Sequence, residues 1–257
     1  MIQSLDRGIS ILFLLKLKGS ATISELAEEL KIHKSSASRL VDTLRQYDLI
    51  QQDPVSKKYR LGYRLLYLGE NIQRNTRVIE ASRPFMFKLS SALKESVHLG
   101  TFYNKKVYVV DQVRSNKVYH LPAALGMIEP VHASALGKCI FAYRTTEFII
   151  KYMNDSGLEA FTGNTITEID SLLRHLSEVR RHGYAVDDQE LKTGVHCLAA
   201  PVFNRSGEVN FSVGISGPAN DFIPDRVLKY SHQLKETCME ISRVLGYGRS
   251  KNEKTGY

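Results

Sequence analysis

The 257-residue chain has few cysteines and no long hydrophobic run. Its three cysteines, Cys139, Cys197 and Cys238, are far apart and form no CxxC pair, so the sequence indicates neither a disulfide framework nor a zinc ribbon. No segment reaches the roughly 18 uncharged apolar residues that a membrane span requires, and the N-terminus lacks the pattern of a secretory signal. We therefore expect a soluble protein of the reducing cytoplasm, with no membrane partner and no cofactor.

Positive charge is concentrated in the first third of the chain. Residues 1–77 contain 13 Lys and Arg against 8 Asp and Glu, whereas the remaining residues contain 22 against 19. A hydrophobic content of 43% is enough for a sizeable core in each of two domains. The asymmetry favours a basic, nucleic-acid-binding N-terminal part followed by a nearly neutral C-terminal part.

The N-terminal part carries the pattern of a helix-turn-helix. Apolar residues recur at helical spacing in a first helix, at Leu5, Ile9, Leu12, Phe13 and Leu17. Thr22 and Glu25 have the spacing of a capping box, which predicts a short second helix to about Leu30. A third helix follows from Lys34, with Ala37, Leu40, Val41 and Leu44 on its inward face. Two short helices in this order match helix-turn-helix geometry.

We expect the third helix to contact double-stranded DNA through its amino end and its exposed side. The candidate contacts are Lys34, Ser35, Ser36, Ser38, Arg39 and Thr43. Helix N-terminal amides attract phosphate, and Arg39 can reach either a guanine edge or the backbone. An ordinary solvated face with capping serines remains the alternative.

A short hairpin is predicted directly after this helix. Strand-like residues 49–52 and 58–61 flank the turn Asp53-Pro54-Val55-Ser56. The hairpin is the wing of a winged helix-turn-helix, and Lys57, Lys58 and Arg60 on it are candidates for contacts with phosphates or the minor groove.

Two helices should connect the N-terminal and C-terminal parts. One runs from Gly62 to about Thr76, and the other from Glu80 to Leu93 with Pro84 in its first turn. The first helix has more large apolar residues than a tether needs, namely Leu65, Leu66, Leu68 and Ile72. These residues pack either within one chain or against a second subunit.

The C-terminal part has the pattern of an α+β domain with an antiparallel sheet. Strands are predicted at residues 97–102, 107–113, 184–186, 195–203 and 209–215, with a hairpin turn at 204–207. Helices are predicted at 134–143, at 167–182 with Thr167 and Asp170 as its cap, and at 224–245. Residues 249–257 have the composition of a disordered tail.

Several motifs together resemble the IclR family of bacterial transcription regulators along almost the whole chain. In the N-terminal part these are SLDRG at 4–8, KSS at 34–36 before Arg39-Leu40, and YRLG at 59–62. In the C-terminal part they are HASALGK at 132–138, GYAVDDQE at 183–190, GVHCLAAP at 194–201 and SGP at 216–218. The resemblance implies a winged helix-turn-helix domain at 1–62, a linker helix at 63–78 and a GAF-like effector-binding domain at 79–248.

The resemblance also implies a homodimer or tetramer whose C-terminal domain binds a small carboxylate. Carried over by motif, Ala135 and Leu136 would offer backbone amides, Asp187 and Cys197 would contact the polar end of the ligand, and Ser216 would donate a hydroxyl. Leu121 and Met127 are candidate apolar walls, although loop burial also explains them. The family often has a serine where this chain has Gly214, which leaves room for a larger ligand or removes a contact.

Two other readings use overlapping residues. An enzyme would need Cys197 as nucleophile with His196 and Asp187, but neighbouring residues on a strand point to opposite faces. A zinc-type site from His132, Asp187, His196 and Cys197 has suitable ligand types but no closely spaced pair. The sequence therefore favours a regulator, most simply a repressor of a catabolic operon, over an enzyme.

Overall fold

The computed structural model describes residues 1–74, 77–115 and 124–248. The chain forms two compact units, Met1–Asn75, here called the head, and Thr76–Tyr257, here called the body. The predicted apolar wall Leu121 and the predicted tail 249–257 lie outside the described residues, as does the side chain of Ile72. Within the described ranges, no helix is both long and apolar enough to cross a membrane.

The head is a three-helix core followed by a hairpin. Its elements are α1 (Gln3–Lys18), α2 (Ile23–Glu29), α3 (Lys34–Gln46), β1 (Ile50–Gln52), β2 (Tyr59–Leu61) and α4 (Arg64–Arg74). The predicted capping box is present, since the Glu25 amide donates to the Thr22 hydroxyl and the Thr22 amide donates to the Glu25 carboxylate. The strands β1 and β2 pair antiparallel, which confirms the predicted hairpin.

Helix α1 packs on the core with a different face from the predicted apolar series. Ile11 and Leu15 are buried, together with Gly8. In contrast, Leu5, Ile9 and Phe13 are 60%, 46% and 68% exposed, and Leu17 is also exposed. We call Leu5, Ile9, Phe13 and Leu17 the outer stripe of α1. The helix is apolar on both sides, and the sequence pattern selected the side that faces away from the core.

The body is built on a six-stranded antiparallel sheet. The strands are β3 (Ser96–Tyr103), β4 (Lys106–Val113), β5 (Ile128–Glu129), β6 (Ala185–Asp188), β7 (Val195–Phe203) and β8 (Val209–Pro218). Their spatial order is β5-β4-β3-β8-β7-β6, and every neighbouring pair is antiparallel.

Helices cover both faces of this sheet. On one face, α5 (Arg77–Leu93) and α9 (Pro224–Val244) enclose a core that includes Val97, Leu198 and Ile215. On the other face lie α6 (Ala135–Phe141), α7 (Thr146–Ser156) and α8 (Ile169–His182). Because successive side chains of a strand alternate between faces, Cys197 and Ala199 belong to the second face while Leu198 belongs to the first.

Two local predictions for the body were wrong, and one helix was missed. Helix α5 begins at Arg77, so Pro84 lies inside the helix and not in its first turn. Helix α8 begins at Ile169 after Glu168, and neither Thr167 nor Asp170 caps it. The sequence reading also missed α7, whose Thr145 hydroxyl accepts a hydrogen bond from the Phe148 amide as an N-cap.

Candidate effector cavity and DNA-binding surface

A cavity of about 230 Å³ lies between the start of α6 and the second face of the sheet. We call it the α6 cavity. At roughly 30 Å³ per water molecule, its volume is that of about eight waters, which suits a small metabolite. All the described effector candidates line it: Met127, Ala135, Leu136, Asp187, Cys197 and Ser216.

Strand register explains why residues distant in sequence meet in this cavity. Asp187 on β6 pairs with Cys197 on β7, and Cys197 pairs with Ser216 on β8. Paired residues of antiparallel strands point to the same face, so the three side chains form one row across the sheet. In the next row, Gly214 pairs with His98 on β3.

Leu136 fits closely against two glycines of the sheet. A Cβ atom at Gly214 would lie 3.0 Å from Leu136 Cδ2 and 3.0 Å from the Leu198 carbonyl oxygen, and a Cβ at Gly100 would lie 3.1 Å from Leu136 Cδ1. The Ser212 hydroxyl donates to the Leu136 carbonyl at 3.1 Å. A side chain at Gly214 would therefore require Leu136 to shift.

Asp187 is buried and held by local hydrogen bonds. Its Oδ1 accepts from the amides of Glu190 at 2.7 Å and Leu191 at 3.3 Å, and the Cys197 thiol is also a hydrogen-bond partner. Burial raises the pKa of the Asp187 carboxyl, and the Glu190 amide and Lys138 oppose the rise. Burial also raises the pKa of the Cys197 thiol well above its usual range, with Asp187 adding to the effect. Such a thiol is not an activated nucleophile.

Glu129 is a cavity residue that the sequence reading missed. It lies on the two-residue strand β5, whose position depends on pairing with Val107 and Tyr108. Burial raises the pKa of the Glu129 carboxyl to about 7, with a hydrogen bond to Ser134 opposing the rise and the nearby Asp187 adding to it. Two carboxyl groups that line the cavity thus interact electrostatically.

We expect Glu129→Gln to remove a pH dependence from the stability of the body. The carboxyl ionises near pH 4.5 when unfolded and near pH 7 when folded, so the folded state binds more protons between these values and loses stability as pH rises through them. Because the cavity admits some solvent, we expect a loss of about 2 kcal/mol in the free energy of unfolding, which is less than the whole pKa shift of Glu129 would give. The free energy of unfolding is measured with urea at pH 5 and at pH 8. Its decrease from pH 5 to pH 8 should be about 2 kcal/mol larger in the native protein than in Glu129→Gln. Glu240→Gln on the exposed side of α9 is the control, and an equal pH slope in all three proteins would contradict the assignment.

His98 is the second cavity residue that the sequence reading missed. Its Nε2 lies 2.7 Å from the Ser216 hydroxyl oxygen, and its Nδ1 is buried with no hydrogen-bond partner within the described ranges. Burial lowers the pKa of His98 to about 4, so the ring is neutral at physiological pH. A neutral imidazole has one donor and one acceptor, and one of its two ring nitrogens is left for a ligand.

A buried ion pair lies next to the cavity. Lys138 is fully buried in α6, and its Nζ donates to Glu190 Oε1. Lys138 also lowers the pKa of Asp187. The lysine of the HASALGK motif therefore balances the charge of two buried carboxylates.

The rival metal site is not assembled. His196 lies on the opposite face from Cys197, where its ring stacks on Phe222 with centroids 4.8 Å apart. His132 Nε2 bonds to the Glu159 carbonyl oxygen at 2.9 Å. Across the part of the chain that is described, no group of three or more His, Cys, Asp or Glu side chains is placed to hold a metal ion.

Helix α3 presents the predicted DNA contacts on an exposed side. Lys34, Ser35 and Ser36 form its exposed first turn, and Arg39 and Thr43 follow on the exposed side. Neither cation forms an ion pair among the described residues, which leaves both available to phosphates or bases. Ser38 is half-buried, and its hydroxyl lies 3.5 Å from Asp42 Oδ2, so its environment is less favourable for an anion.

The wing is shaped by Asp53. Its Oδ1 accepts from the Val55 amide at 3.1 Å and from the Ser56 amide at 2.7 Å, which closes the turn between β1 and β2. Lys57 and Arg60 are exposed and Lys58 is half-buried, so the hairpin carries three cations after α3.

Comparisons with known proteins agree over most of the chain. Residues 4–54 match the IclR helix-turn-helix domain, and residues 71–243 match the domain described as bacterial transcriptional regulator IclR C-terminal. The HTH-type transcriptional repressor AllR of Klebsiella pneumoniae is 31% identical over 245 residues, covering 95% of this chain and 90% of that protein. AllR of Escherichia coli K12 is 29% identical with the same coverage. The crystal structure of Thermotoga maritima IclR has a TM-score of 0.81 and 30% identity, and it covers 96% of this chain and 100% of that one.

A winged helix-turn-helix head with an exposed cationic helix, joined to an α+β body, defines a DNA-binding transcription regulator and not an enzyme. The matched domains together span most of the chain. The chain belongs to the IclR family, which confirms the resemblance, the α+β fold class and the non-enzymatic assignment drawn from the sequence.

Proposed function

We propose that the protein is a homodimeric repressor of a catabolic operon, and that a small organic acid in the α6 cavity controls its binding to DNA. The observation that carries the proposal is the row of Asp187, Cys197 and Ser216 across three strands of the cavity. A concave, mostly apolar pocket with a few converging polar groups is the usual form of a small-molecule site. The repressor names of the AllR relatives support the direction of control.

The proposed ligand contacts are those expected from the sequence. Ala135 and Leu136 lie in the first turn of α6, where backbone amides have no intrahelical acceptor, and Met127 supplies an apolar wall. Lys192 lines the cavity and is exposed, so it adds a positive charge at the rim. An effector regulates only if it binds one arrangement of the dimer more tightly than the other.

The proposal of a homodimer is supported by exposed apolar residues in the head. The outer stripe of α1 is one such surface, and Leu66, Tyr67 and Leu68 on α4 are another. Exposed apolar patches of this kind mark protein interfaces. Two heads at fixed spacing are what a palindromic operator requires.

The experiment begins by selecting a bound DNA sequence from a random pool with the full-length protein. Release of that DNA is then measured as small carboxylic, sugar and aromatic acids are added. Release by at least one acid supports the proposal. If no acid alters DNA binding or the melting temperature, control by a small organic acid is rejected.

We expect Arg39→Ala to weaken binding to the selected DNA by about 10-fold to 100-fold, the usual value of one good base contact. Arg39 is exposed and its removal should leave the melting temperature unchanged. The measurement is the dissociation constant as a function of salt. If Arg39 contacts a phosphate, the slope of log K against log salt should fall by about 0.9, whereas a guanine contact should relax the preference for one base at one position.

Arg45→Ala is the matched control for this prediction. Arg45 is an exposed arginine of the same helix, but it lies at the carboxyl end and pairs with Asp42 at 3.5 Å. Normal DNA binding by Arg39→Ala, or an equal loss in both variants, would contradict the proposed recognition face.

A further inference from the structure

The polar wall of the α6 cavity is dominated by hydrogen-bond acceptors. Glu129 and Asp187 both line the cavity and are close enough that the charge of one raises the pKa of the other. Asp187 already accepts two backbone hydrogen bonds through Oδ1. The Cys197 thiol also hydrogen-bonds Asp187, and Ser134 hydrogen-bonds Glu129. Each carboxyl has further lone pairs, which can accept hydrogen bonds from solvent or from a ligand.

His98 gives independent support for a ligand at this wall. It is only 4% exposed, lines the same cavity and has a buried Nδ1 without a partner among the described residues. Buried polar atoms in native proteins are almost always hydrogen-bonded, and an unpartnered one indicates a missing water or ligand. The imidazole is neutral, so it adds no positive charge that would attract an anion to this wall.

A carboxylate placed against Glu129 and Asp187 would donate no hydrogen bond, and it would be repelled by like charge whenever either side chain is ionised. Hydroxyl or amino groups fit this wall, because each brings a donor to a carboxyl oxygen. The cationic Lys192 also lines the cavity and is exposed, and its charge suits an acid end of the ligand.

We propose that the effector is a hydroxylated or amino-substituted small acid whose donor groups bind Glu129 and Asp187, rather than a simple carboxylic acid. Glu129 is then a specificity-determining residue of this cavity. The inference rests on the proposed function and names the chemical class of its effector. A site that hydrogen-bonds a ligand hydroxyl discriminates strongly against analogues without the hydroxyl, because the buried polar groups of the site are then left unpaired.

The test uses two matched sets of probes, titrated calorimetrically into the full-length protein at pH 7. One set is glycerate, propionate and glycerol, and the other is ribonate, pentanoate and ribitol. Within each set, the first probe has both the acid and the hydroxyls, the second has only the acid and the third has only hydroxyls. We expect a hydroxy acid to bind at least 10-fold more tightly than its deoxy counterpart.

Two variants of Glu129 assign this preference to the residue. Glu129→Leu removes all hydrogen bonding and should bring the ratio between hydroxy acid and deoxy acid close to one. Glu129→Gln keeps the size and one acceptor oxygen, so it should retain part of the ratio and shows whether the leucine effect is merely steric. Glu240→Leu, on the exposed side of α9, should leave the ratio unchanged.

The outcomes separate this inference from the proposed function. Equal binding of hydroxy and deoxy acids, or a ratio that survives in Glu129→Leu, overturns the inference and leaves sensing of small acids intact. Neutral polyols that bind as tightly as their acids support recognition of donor groups by the polar wall but contradict the acid requirement of the proposed function. If the protein binds DNA and none of the six probes, the hydroxy-acid class is overturned, while control by another small acid is still decided by the wider acid panel described above.

Discussion

Replacing Lys138 with methionine should lower the free energy of unfolding of the body by about 3–5 kcal/mol, the cost expected when one partner of a buried ion pair is removed. Lys138 is 0% exposed and contacts Glu190, which is itself buried. Methionine fills a similar volume, so the loss is electrostatic and not a cavity effect. The Glu190 carboxylate would be left without its cation, with Asp187 as a second negative charge nearby.

The pH dependence of this loss follows from the same contacts. Burial raises the pKa of Glu190 and of Asp187, and Lys138 opposes both shifts. Without Lys138 both pKa values rise further, so both carboxyls take up protons in the folded state at mildly acidic pH. The destabilisation should therefore be smaller at pH 5 than at pH 8.

Urea unfolding of Lys138→Met and of Lys138→Met/Glu190→Gln at both pH values tests this prediction. The double variant should recover part of the stability, because it removes the unpaired charge of Glu190 while Asp187 still lacks its nearby cation. Lys151→Met on the exposed side of α7 is the matched control and should change stability by less than about 0.5 kcal/mol. A loss below about 1 kcal/mol in Lys138→Met would show that the ion pair does not stabilise the body.

Sequence reasoning worked best where structure is decided by neighbours along the chain. The capping box at Thr22 and Glu25 and the turn at Asn204–Gly207 are local hydrogen-bond patterns, and the structure contains both. The cap predicted at Thr167 and Asp170 was wrong although it has the same spacing, because α8 begins after Glu168. A capping pattern is thus informative only when the helix start is already fixed by other residues.

The cavity shows the limit of motif-based prediction. Motifs pointed to Asp187, Cys197 and Ser216, and strand pairing brings these three together. Glu129 and His98 had no readable signal, because their place in the cavity depends on the pairing of β5 with β4 and of β3 with β8. Long-range register of this kind is not encoded in the spacing of nearby residues.

Helix α1 shows a second limit of sequence-based prediction, which concerns the dimer interface. Hydrophobic periodicity identifies apolar faces but does not distinguish a core face from an interface, since both exclude water. The outer stripe of α1 remains exposed in the single chain, with Phe13 at its centre 68% exposed. In a homodimer with two-fold symmetry, one substitution appears twice in the interface.

We therefore expect Phe13→Glu to weaken dimerisation at least 100-fold, or about 3 kcal/mol, which is within the range of a central aromatic interface residue. Sedimentation of the full-length protein over a range of concentrations measures the dimer dissociation constant. The melting temperature of the head should be retained, because Phe13 lies opposite the buried Ile11 and Leu15. Binding to a palindromic DNA should fall more than binding to a half-site, because only the palindrome requires the dimer.

Gln3→Glu adds the same charge to the same helix outside the outer stripe, at an exposed position, and should leave the dimer intact. This control matters because an acidic residue in a basic head also weakens DNA binding by direct repulsion. Repulsion would act in both variants and would not change the oligomeric state, whereas loss of the interface would act in Phe13→Glu alone. A Phe13→Glu protein that remains a dimer would exclude the outer stripe as the interface and would leave the exposed residues of α4 as the alternative surface.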